Sequence, residues 1–246
     1  MFIDVPIVIA HRGASGEAPE NTLAAFKLAV EQGCDAIELD IHLAADGQIV
    51  VCHDDSIGRT TTGKGVIREM TSQQLKQADA GVKFGGQFAG ERIPLLEEVF
   101  DLVPQEIMLN IEIKSGFDRR IESTLLELLD RKKRLDNVVV SSFNHKSLRL
   151  LKQLEPRVKI GLLYAADFAN HRRIAEAMEV DVYSLHPDYR LIQREDIADA
   201  VAHGLKVFPY TINDEMDMRQ AVQNGASGII TDYPGKLKQL LRQLRP

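Results

Sequence analysis

Short apolar runs rich in β-branched residues alternate with amphipathic segments along most of the chain. The first run, Ile7 to Ala10, predicts a strand. Later runs predict strands over residues 36–43, 108–113, 138–141, 159–164, 180–185, 206–211 and 228–231. Apolar residues at helical spacing predict a helix from Thr22 to Gln32, with Asn21 as its N-cap and Gly33 as its stop. The same spacing predicts helices over residues 95–103, 148–154, 194–203 and 215–224.

One further strand breaks this alternation. Ile49 to His53 follows the strand that ends at Leu43 after only five residues, which include Asp46-Gly47. A parallel crossover needs roughly a dozen residues, so this pair is predicted to be a β-hairpin with Asp46-Gly47 in its turn. The remaining strands and their helical crossovers predict an α/β fold of the (β/α)8 barrel type, the TIM barrel. The alternative is a doubly wound open sheet, which would usually carry a glycine-rich phosphate loop where this chain has His11-Arg12-Gly13.

Residues 54–94 follow the hairpin and are polar and irregular, with one short helical piece near residues 72–77. We expect them to form a small inserted subdomain over the barrel mouth. The whole chain, residues 1–246, is then predicted to be a single barrel domain with this insertion.

Composition restricts the partners and the compartment. The chain is 44% hydrophobic with a formal charge of −6, and it has no basic stripe, which argues against a nucleic-acid partner. No apolar run approaches the roughly 18 residues that span a bilayer, so we expect no stable membrane insertion. Met1 to Pro6 show no basic segment or cleavage site of a signal peptide, so a cytoplasmic protein is expected. Cys34 and Cys52 lie in or beside apolar stretches and are predicted to be buried, reduced thiols.

Three carboxylates lie on neighbouring strands of the predicted barrel. Glu38 and Asp40 are two residues apart and share one face of the second strand, and Glu112 lies on the next barrel strand. Such carboxylates repel one another in an apolar setting unless a cation or a proton intervenes. Oxygen ligands favour Mg²⁺ or Ca²⁺, with Mn²⁺ as a further option, so the three acids predict a metal site. The alternative is a buried ion-pair network with Arg12 and Lys114.

Two histidines stand at strand ends, His11 on the first strand and His53 at the end of the hairpin. A histidine exchanges protons near neutral pH, so the two are candidates for an acid/base pair. Arg12 and Lys114 could form a binding site for an anionic group, although each can instead pair with one of the acids. A hard cation, two histidines and two basic groups together favour phosphoryl chemistry.

These residues belong to an ordered set of motifs that runs along nearly the whole chain. The motifs are His11-Arg12-Gly13, Pro19-Glu20-Asn21-Thr22, Glu38-x-Asp40, His53-Asp54, Glu112-Ile113-Lys114, Ser142-Phe143 and Thr231-Asp232-Tyr233-Pro234. Their order resembles that of the glycerophosphodiester phosphodiesterase family, of the bacterial cytoplasmic type.

The resemblance implies hydrolysis of glycerophosphodiesters, such as glycerophosphocholine and glycerophosphoethanolamine, to an alcohol and sn-glycerol 3-phosphate. It places a divalent cation on the three acids, makes the two histidines the acid/base pair, and puts Arg12 and Lys114 on the phosphate. An aromatic residue is expected near the end of the seventh strand, where this chain has Tyr210. Phe143, as a wall for the glycerol or another apolar group, and His186, at a strand end, are the other expected substrate contacts. The alternative for Phe143 and Tyr210 is packing in the core.

Two other functions remain alternatives at this point. One is a lysophospholipase D-like phosphodiesterase, which should need an apolar or basic ring at the mouth. The other is a barrel that binds a phosphodiester without cleaving it, although the chain retains every acid and histidine of the motifs. The sequence leaves open the preferred head group, the metal, the oligomeric state and which histidine is the acid. It also leaves open whether the glycerol 2-hydroxyl or a water molecule attacks the phosphorus.

Overall fold

A computed structural model describes residues 5–114 and 119–244 of the chain. Its strands are β1 (Ile7–His11), β2 (Ala36–Leu43), β3 (Ile49–Val51), β4 (Met108–Ile113), β5 (Val138–Ser142), β6 (Lys159–Tyr164), β7 (Ser184–Pro187), β8 (Lys206–Val207) and β9 (Gly228–Thr231). Its α-helices are α1 (Leu23–Glu31), α2 (Ser72–Leu75), α3 (Leu96–Leu102), α4 (Arg120–Arg131), α5 (His145–Leu154), α6 (Arg173–Glu176), α7 (Arg194–Ala202), α8 (Glu215–Gln223) and α9 (Pro234–Leu244). None of the helices in these two described stretches is long and apolar enough to cross a membrane.

The strands form one parallel barrel in the order β8-β7-β6-β5-β4-β2-β1-β9. The two end strands are joined by backbone hydrogen bonds from Ser227 N to Val207 O (2.9 Å) and from Ile230 N to Pro209 O (3.1 Å). β3 lies off this path and pairs antiparallel with β2, with Ile41 opposite Val51. The predicted (β/α)8 barrel and its additional hairpin are therefore confirmed.

The barrel strands are buried on both faces, which explains why their sequences are continuous apolar runs. Every residue of β2 is buried, because one face packs into the barrel and the other lies under the surrounding helices. α1 packs onto the sheet through Ala25, Phe26 and Ala29. Cys34 and Cys52 are free and buried, as predicted, and burial raises the pKa of each thiol to about 12.

A second apolar cluster lies between the hairpin and the segment of residues 54–94. Val50 and Cys52 from the hairpin side pack with Ile57, Ile67 and Leu75 from the segment. The segment holds α2 and two short 3-10 turns, Ile67–Glu69 and Gly86–Phe88. These contacts fix the segment against the edge of the barrel that carries His53.

Several predicted boundaries differ from the structure. β7 begins at Ser184 instead of near residue 180, and β8 ends at Val207 instead of Thr211. The β8 ladder is interrupted because Pro209 has no N–H, although Phe208 N and Tyr210 N still donate to β7 carbonyls. The N-cap of α1 is Thr22, whose Oγ1 accepts a hydrogen bond from Ala25 N at 3.2 Å, and not the predicted Asn21.

Candidate active site

The mouth of the barrel, at the C-terminal ends of its strands, contains a cavity of about 230 Å³. Side chains of alternate strand residues point inward, so strand-end residues converge there. The lining residues are His11, Arg12, Glu38, His53, Asn110, Glu112, Lys114, Ser141, Phe143, Leu163, Tyr210, Thr211 and Ile230. Most of the residues singled out from the sequence therefore meet in one cavity.

The three predicted acids come together at one side of this cavity. Asp40 on β2 lies directly opposite Glu112 on β4, and Glu38 lies one inward-facing position earlier on β2. A carboxylate oxygen from each residue lies within 4.8 Å of the other two. The residues are only 4%, 1% and 7% exposed for Glu38, Asp40 and Glu112.

Burial and mutual repulsion perturb these carboxyl groups in different directions. Burial raises the pKa of Glu38, and the negative charges of Asp40 and Glu112 raise it further. Burial and the charge of Asp40 raise the pKa of Glu112 to about 7. Burial also tends to raise the pKa of Asp40, but Arg12 and Lys114 lie close enough to lower it on balance.

The alternative ion pairs are present as well. Lys114 Nζ lies 2.8 Å from Glu112 Oε1 and 3.5 Å from Asp40 Oδ1, and Arg12 Nε lies 3.3 Å from Asp40 Oδ2. Even so, Asp40 Oδ1 is buried and has no hydrogen-bond partner among the described residues. Three buried carboxylates against two basic groups, with one orphaned oxygen, fit a hard divalent cation bound by oxygen ligands.

Asn21, a buried residue of the loop between β1 and α1, supports the acids. It adopts a left-handed backbone (φ 57°), and its Nδ2 donates to Asp40 Oδ2 at 2.8 Å. This bond satisfies one oxygen of Asp40 and fixes the orientation of its carboxylate. The sequence pattern placed Asn21 at a helix start, so this contact was missed, although the motif Pro19-Glu20-Asn21-Thr22 was a signal.

His11 is oriented by a carboxylate. Its Nδ1 donates to Asp232 Oδ1 at 2.6 Å, because a carboxylate can only accept. Asp232 is itself held by Ser15 Oγ (2.9 Å) and Asn213 Nδ2 (2.6 Å). Nε2 of His11 is turned toward Glu38, 3.9 Å from its Oε2, and is available on the cavity side.

His53 has the same arrangement on the hairpin side. Its Nδ1 donates to Asp54 Oδ1 at 2.6 Å. Burial lowers the pKa of His53, and this effect outweighs the opposite influence of Asp40 and Asp54. Both predicted histidines thus present an imidazole to the cavity with Nδ1 anchored on an acid.

Arg12 is placed by an unusual turn after β1. Its backbone is left-handed (φ 54°), and its N–H donates to Glu38 Oε2 at 3.1 Å. The next residue, Gly13, has φ 84°, and a Cβ there would lie 2.6 Å from the backbone carbon of Ala25. Only glycine fits this position, so the His-Arg-Gly motif has a backbone reason as well as a chemical one.

Two of the predicted substrate contacts form an aromatic wall. The rings of Phe143 and Tyr210 pack edge to face with centroids 6.2 Å apart, and Phe143 is 52% exposed. His186 lies elsewhere: it is fully buried, shares a 2.8 Å hydrogen bond with Ser184 Oγ, and packs on Phe208. It does not line the described cavity, so the position of His186 does not support its predicted contact with substrate.

Two polar residues of the cavity floor were not singled out from the sequence. Asn110 on β4 and Ser141 on β5 line the cavity. Within the part of the chain that the structure describes, the buried atoms Asn110 Oδ1 and Ser141 Oγ have no hydrogen-bond partner. Asn110 stands two residues before Glu112 in an otherwise apolar strand, which is the same signal that identified the acids. Ser141 sits at a strand end among valines and had no comparable signal.

The fold and the cavity define a (β/α)8 barrel whose mouth brings together two imidazoles, three carboxylates and two basic groups. The sequence profile of the Glycerophosphoryl diester phosphodiesterase family matches residues 11–236. A glycerophosphodiester phosphodiesterase of Caldanaerobacter subterraneus subsp. tengcongensis is 46% identical over 240 residues, which is 96% of this chain and 98% of that relative. The chain therefore belongs to the glycerophosphoryl diester phosphodiesterase family and is an enzyme of that class, as its motifs predicted.

Two other relatives bear on the site. A phosphodiesterase of Oleispira antarctica, solved in complex with the product sn-glycerol-3-phosphate, superposes with a TM-score of 0.90 at 35% identity and covers 97% of each chain. A human lysophospholipase D is 30% identical over 269 residues, covering 95% of this chain and 85% of the human protein. The first confirms the fold, and the second shows that another phosphodiesterase activity exists among the relatives.

Proposed function

We propose that this enzyme hydrolyses glycerophosphodiesters such as glycerophosphocholine and glycerophosphoethanolamine to an alcohol and sn-glycerol 3-phosphate, with His11 and His53 as its acid/base pair. The observation that carries the proposal is the pair of imidazoles, each anchored through Nδ1 on a carboxylate, in the cavity that also holds the three acids. The product bound to the Oleispira antarctica relative supports the choice of substrate class.

The proposal includes a divalent cation, Mg²⁺ or Ca²⁺ with Mn²⁺ as a further option, held by Glu38, Asp40 and Glu112. When bound, such an ion would neutralise charge that develops on a phosphate oxygen. Arg12 and Lys114 line the same cavity and would bind the remaining phosphate oxygens, Arg12 through its planar fork and Lys114 as a point charge.

The histidines would divide the proton transfers. One Nε2 removes a proton from the attacking hydroxyl or water, and the other donates a proton to the departing alkoxide, so the two imidazoles end the step with exchanged charge states. The carboxylates of Asp54 and Asp232 keep Nδ1 protonated and stabilise whichever imidazole is cationic. Either role requires only an imidazole whose Nδ1 is bonded to a carboxylate, and both histidines meet this requirement. Which of His11 and His53 is the acid and which is the base therefore stays open.

The walls of the cavity would select the rest of the substrate. Phe143 and Tyr210 offer apolar ring surface to the glycerol or head group. We also propose that residues 54–94 act as an inserted subdomain that shields one side of the mouth, since their apolar cluster is fixed to the hairpin that carries His53.

Product analysis tests this proposal. The purified enzyme is incubated with glycerophosphocholine in Mg²⁺, in Ca²⁺ and in chelator, and choline and sn-glycerol 3-phosphate are quantified. We expect both products with at least one ion and a large loss of turnover in chelator. Absence of sn-glycerol 3-phosphate with every ion would overturn the substrate assignment, and full turnover in chelator would overturn the metal.

A lysophospholipase D-like activity is the second candidate, because the human relative carries that name and Phe143 exposes an apolar ring beside the cavity. The same assay with lysophosphatidylcholine distinguishes the two. We expect a kcat/KM for lysophosphatidylcholine well below that for glycerophosphocholine. The reverse order would favour the second candidate.

A further inference from the structure

Arg59 lies outside the cavity, yet its side chain contacts two residues that support cavity groups. It belongs to the segment of residues 54–94 and is 48% exposed. Its Nε and one terminal nitrogen donate to Asp54 at 2.7 and 3.1 Å. Its two terminal nitrogens also donate to the two oxygens of Glu20 at 2.8 and 2.7 Å. One guanidinium is therefore paired in bidentate fashion with two carboxylates at once.

Each of these carboxylates also holds a residue of the cavity. Asp54 Oδ1 accepts the bond from His53 Nδ1 at 2.6 Å, and Glu20 Oε1 accepts a bond from Arg12 at 2.9 Å. A single carboxylate therefore separates Arg59 from His53, a proposed acid/base group, and another separates it from Arg12, a proposed phosphate ligand.

The charges of this network are balanced, with two arginines against two carboxylates. Without Arg59, the one cationic partner left to Glu20 among residues 5–114 and 119–244 would be Arg12, and a net negative charge would remain beside the proposed binding site of an anionic substrate. Exposed ion pairs usually contribute little, but bidentate arginine pairs in a network are the exception. The shape of the guanidinium also matters. Its planar fork fixes the orientation of each carboxylate, whereas a point charge such as an ammonium group would not.

We propose that Arg59 is a positioning residue for the reaction, which holds Asp54 against His53 and Glu20 against Arg12 through a single guanidinium. This inference rests on the proposed function for the roles of His53 and Arg12. If Arg59 has this role, the segment of residues 54–94 contributes to turnover directly, in addition to shielding the barrel mouth.

Replacement of Arg59 should affect kcat and KM separately. In Arg59→Ala, Asp54 loses its fork and no longer fixes the His53 ring, so kcat should fall about 10-fold or more. Glu20 should then draw Arg12 away from the phosphate, so KM should rise by a similar factor of about 10. Binding of sn-glycerol 3-phosphate, measured by calorimetry, should weaken in parallel with the rise in KM.

The conservative variant separates charge from geometry. Arg59→Lys keeps the positive charge between the two carboxylates but loses the fork. We expect KM and product binding to return most of the way to the wild-type values while kcat stays low. The matched control is Arg68→Ala, since Arg68 lies in the same segment on the surface and pairs only weakly with its neighbour Glu69 at 3.7 Å. This control should leave kcat, KM and product binding unchanged.

Double-mutant cycles decide whether Arg59 acts through its two partners. In an Asp54→Asn background the Arg59→Ala change should have little further effect on kcat, and in a Glu20→Gln background little further effect on KM. Full additivity in both cycles, or unchanged kcat and KM in Arg59→Ala, would overturn the proposal. A wild-type enzyme inactive on glycerophosphocholine would count against the proposed function instead, and product binding would still report on Arg59.

Discussion

The two imidazoles of the cavity are anchored in the same way although they come from different parts of the fold. His11 is the last residue of a barrel strand, and it bonds to Asp232, 221 residues away. His53 follows the hairpin strand β3, and it bonds to the next residue in the chain, Asp54. In both cases Nδ1 is occupied by a carboxylate, which leaves Nε2 for proton transfer. The pairing follows from this chemistry and not from a shared local motif.

Removal of either imidazole should stop turnover without unfolding the enzyme. A positioned general acid or base typically contributes about 10²–10⁴-fold, so His11→Ala and His53→Ala should each lower kcat by at least that much. Steady-state kinetics with glycerophosphocholine measures the loss, and circular dichroism checks that the fold is intact.

The control for these variants is His203→Ala, since His203 is an exposed histidine at the end of α7. It should keep wild-type kcat. A folded His11→Ala or His53→Ala enzyme with kcat within about threefold of the wild type would contradict a proton-transfer role, because such a small change is far below the usual contribution.

At the level of single residues the sequence revealed charged groups in apolar strands but not their supports. Glu38, Asp40 and Glu112 stand out because a charged residue on a buried strand needs a reason. Asp232 belongs to the motif Thr231-Asp232-Tyr233-Pro234, but nothing in the sequence pairs it with His11. Arg59 lies in a polar loop where charged residues are common. Their roles depend on long-range contacts, and spacing along the chain does not encode those.

Side chains of β7 pack so closely against β6 inside the barrel that they leave no room for a side chain at one position of β6. Gly161 on β6 lies beside Ser184, and its missing side chain leaves room for the ring of His186. A Cβ at Gly161 would lie 2.5 Å from His186 Nε2 and 2.9 Å from Ser184 Oγ. The glycine is therefore a steric requirement of the barrel interior.

Gly161→Ala should destabilise the fold by about 1–3 kcal/mol, because a methyl group added to a close-packed interior must displace its neighbours. Urea unfolding followed by circular dichroism measures the free energy of unfolding. The control is Gly86→Ala, where an added Cβ meets no atom of the described residues within 4 Å. Equal stability of the two variants would show that the His186 ring moves without cost.

Elements were predicted well where apolar periodicity alone determines them. The bounds of β2, β4 and β6 match the expectation, and so does the antiparallel hairpin. The start of β7 was placed too early because the apolar residues Val180 and Val182 precede it, and the end of β8 was placed too late because Pro209 has no N–H to continue a regular ladder. α1 was misread at its N-cap, since Asn21 and Thr22 are both good caps and only tertiary contacts assign Asn21 to Asp40.

The acid stability of the whole molecule should depend on His186. Burial lowers the pKa of this ring to about 3, from 6.5 for an ordinary histidine. Below pH 6.5 the unfolded chain takes up a proton that the folded chain does not, so the stability present above pH 6.5 is lost as the pH falls toward 3. The contribution approaches about 1.4 kcal/mol per pH unit within that window.

Comparison of slopes isolates this contribution. The free energy of unfolding is measured by urea titration at several pH values across the window for the wild type and for His186→Gln. The variant should show a shallower acid dependence whatever its own stability at neutral pH. Parallel curves would mean that His186 is protonated in the folded protein.

A cation at the three acids should stabilise the molecule in a pH-dependent way. In the metal-free protein the pKa of Glu112 is raised from 4.5 to about 7, so the folded chain holds a proton that the unfolded chain has released. Folding of the metal-free protein is therefore progressively disfavoured as the pH rises through this window. A bound cation requires the deprotonated carboxylates and relieves their repulsion, so its stabilisation should grow across the same window.

The measurement is the melting temperature in chelator and in Mg²⁺ or Ca²⁺ at about pH 5 and pH 7.5. An ion at roughly 100 times its Kd should add about 2.7 kcal/mol, and the gain should be larger at the higher pH. Because each comparison is made at one pH, the titration of His186 cancels. Glu112→Gln should lose most of the gain, whereas Glu69→Gln, on the surface, should keep it. A gain that is equal at both pH values, or that survives in Glu112→Gln, would place the ion elsewhere.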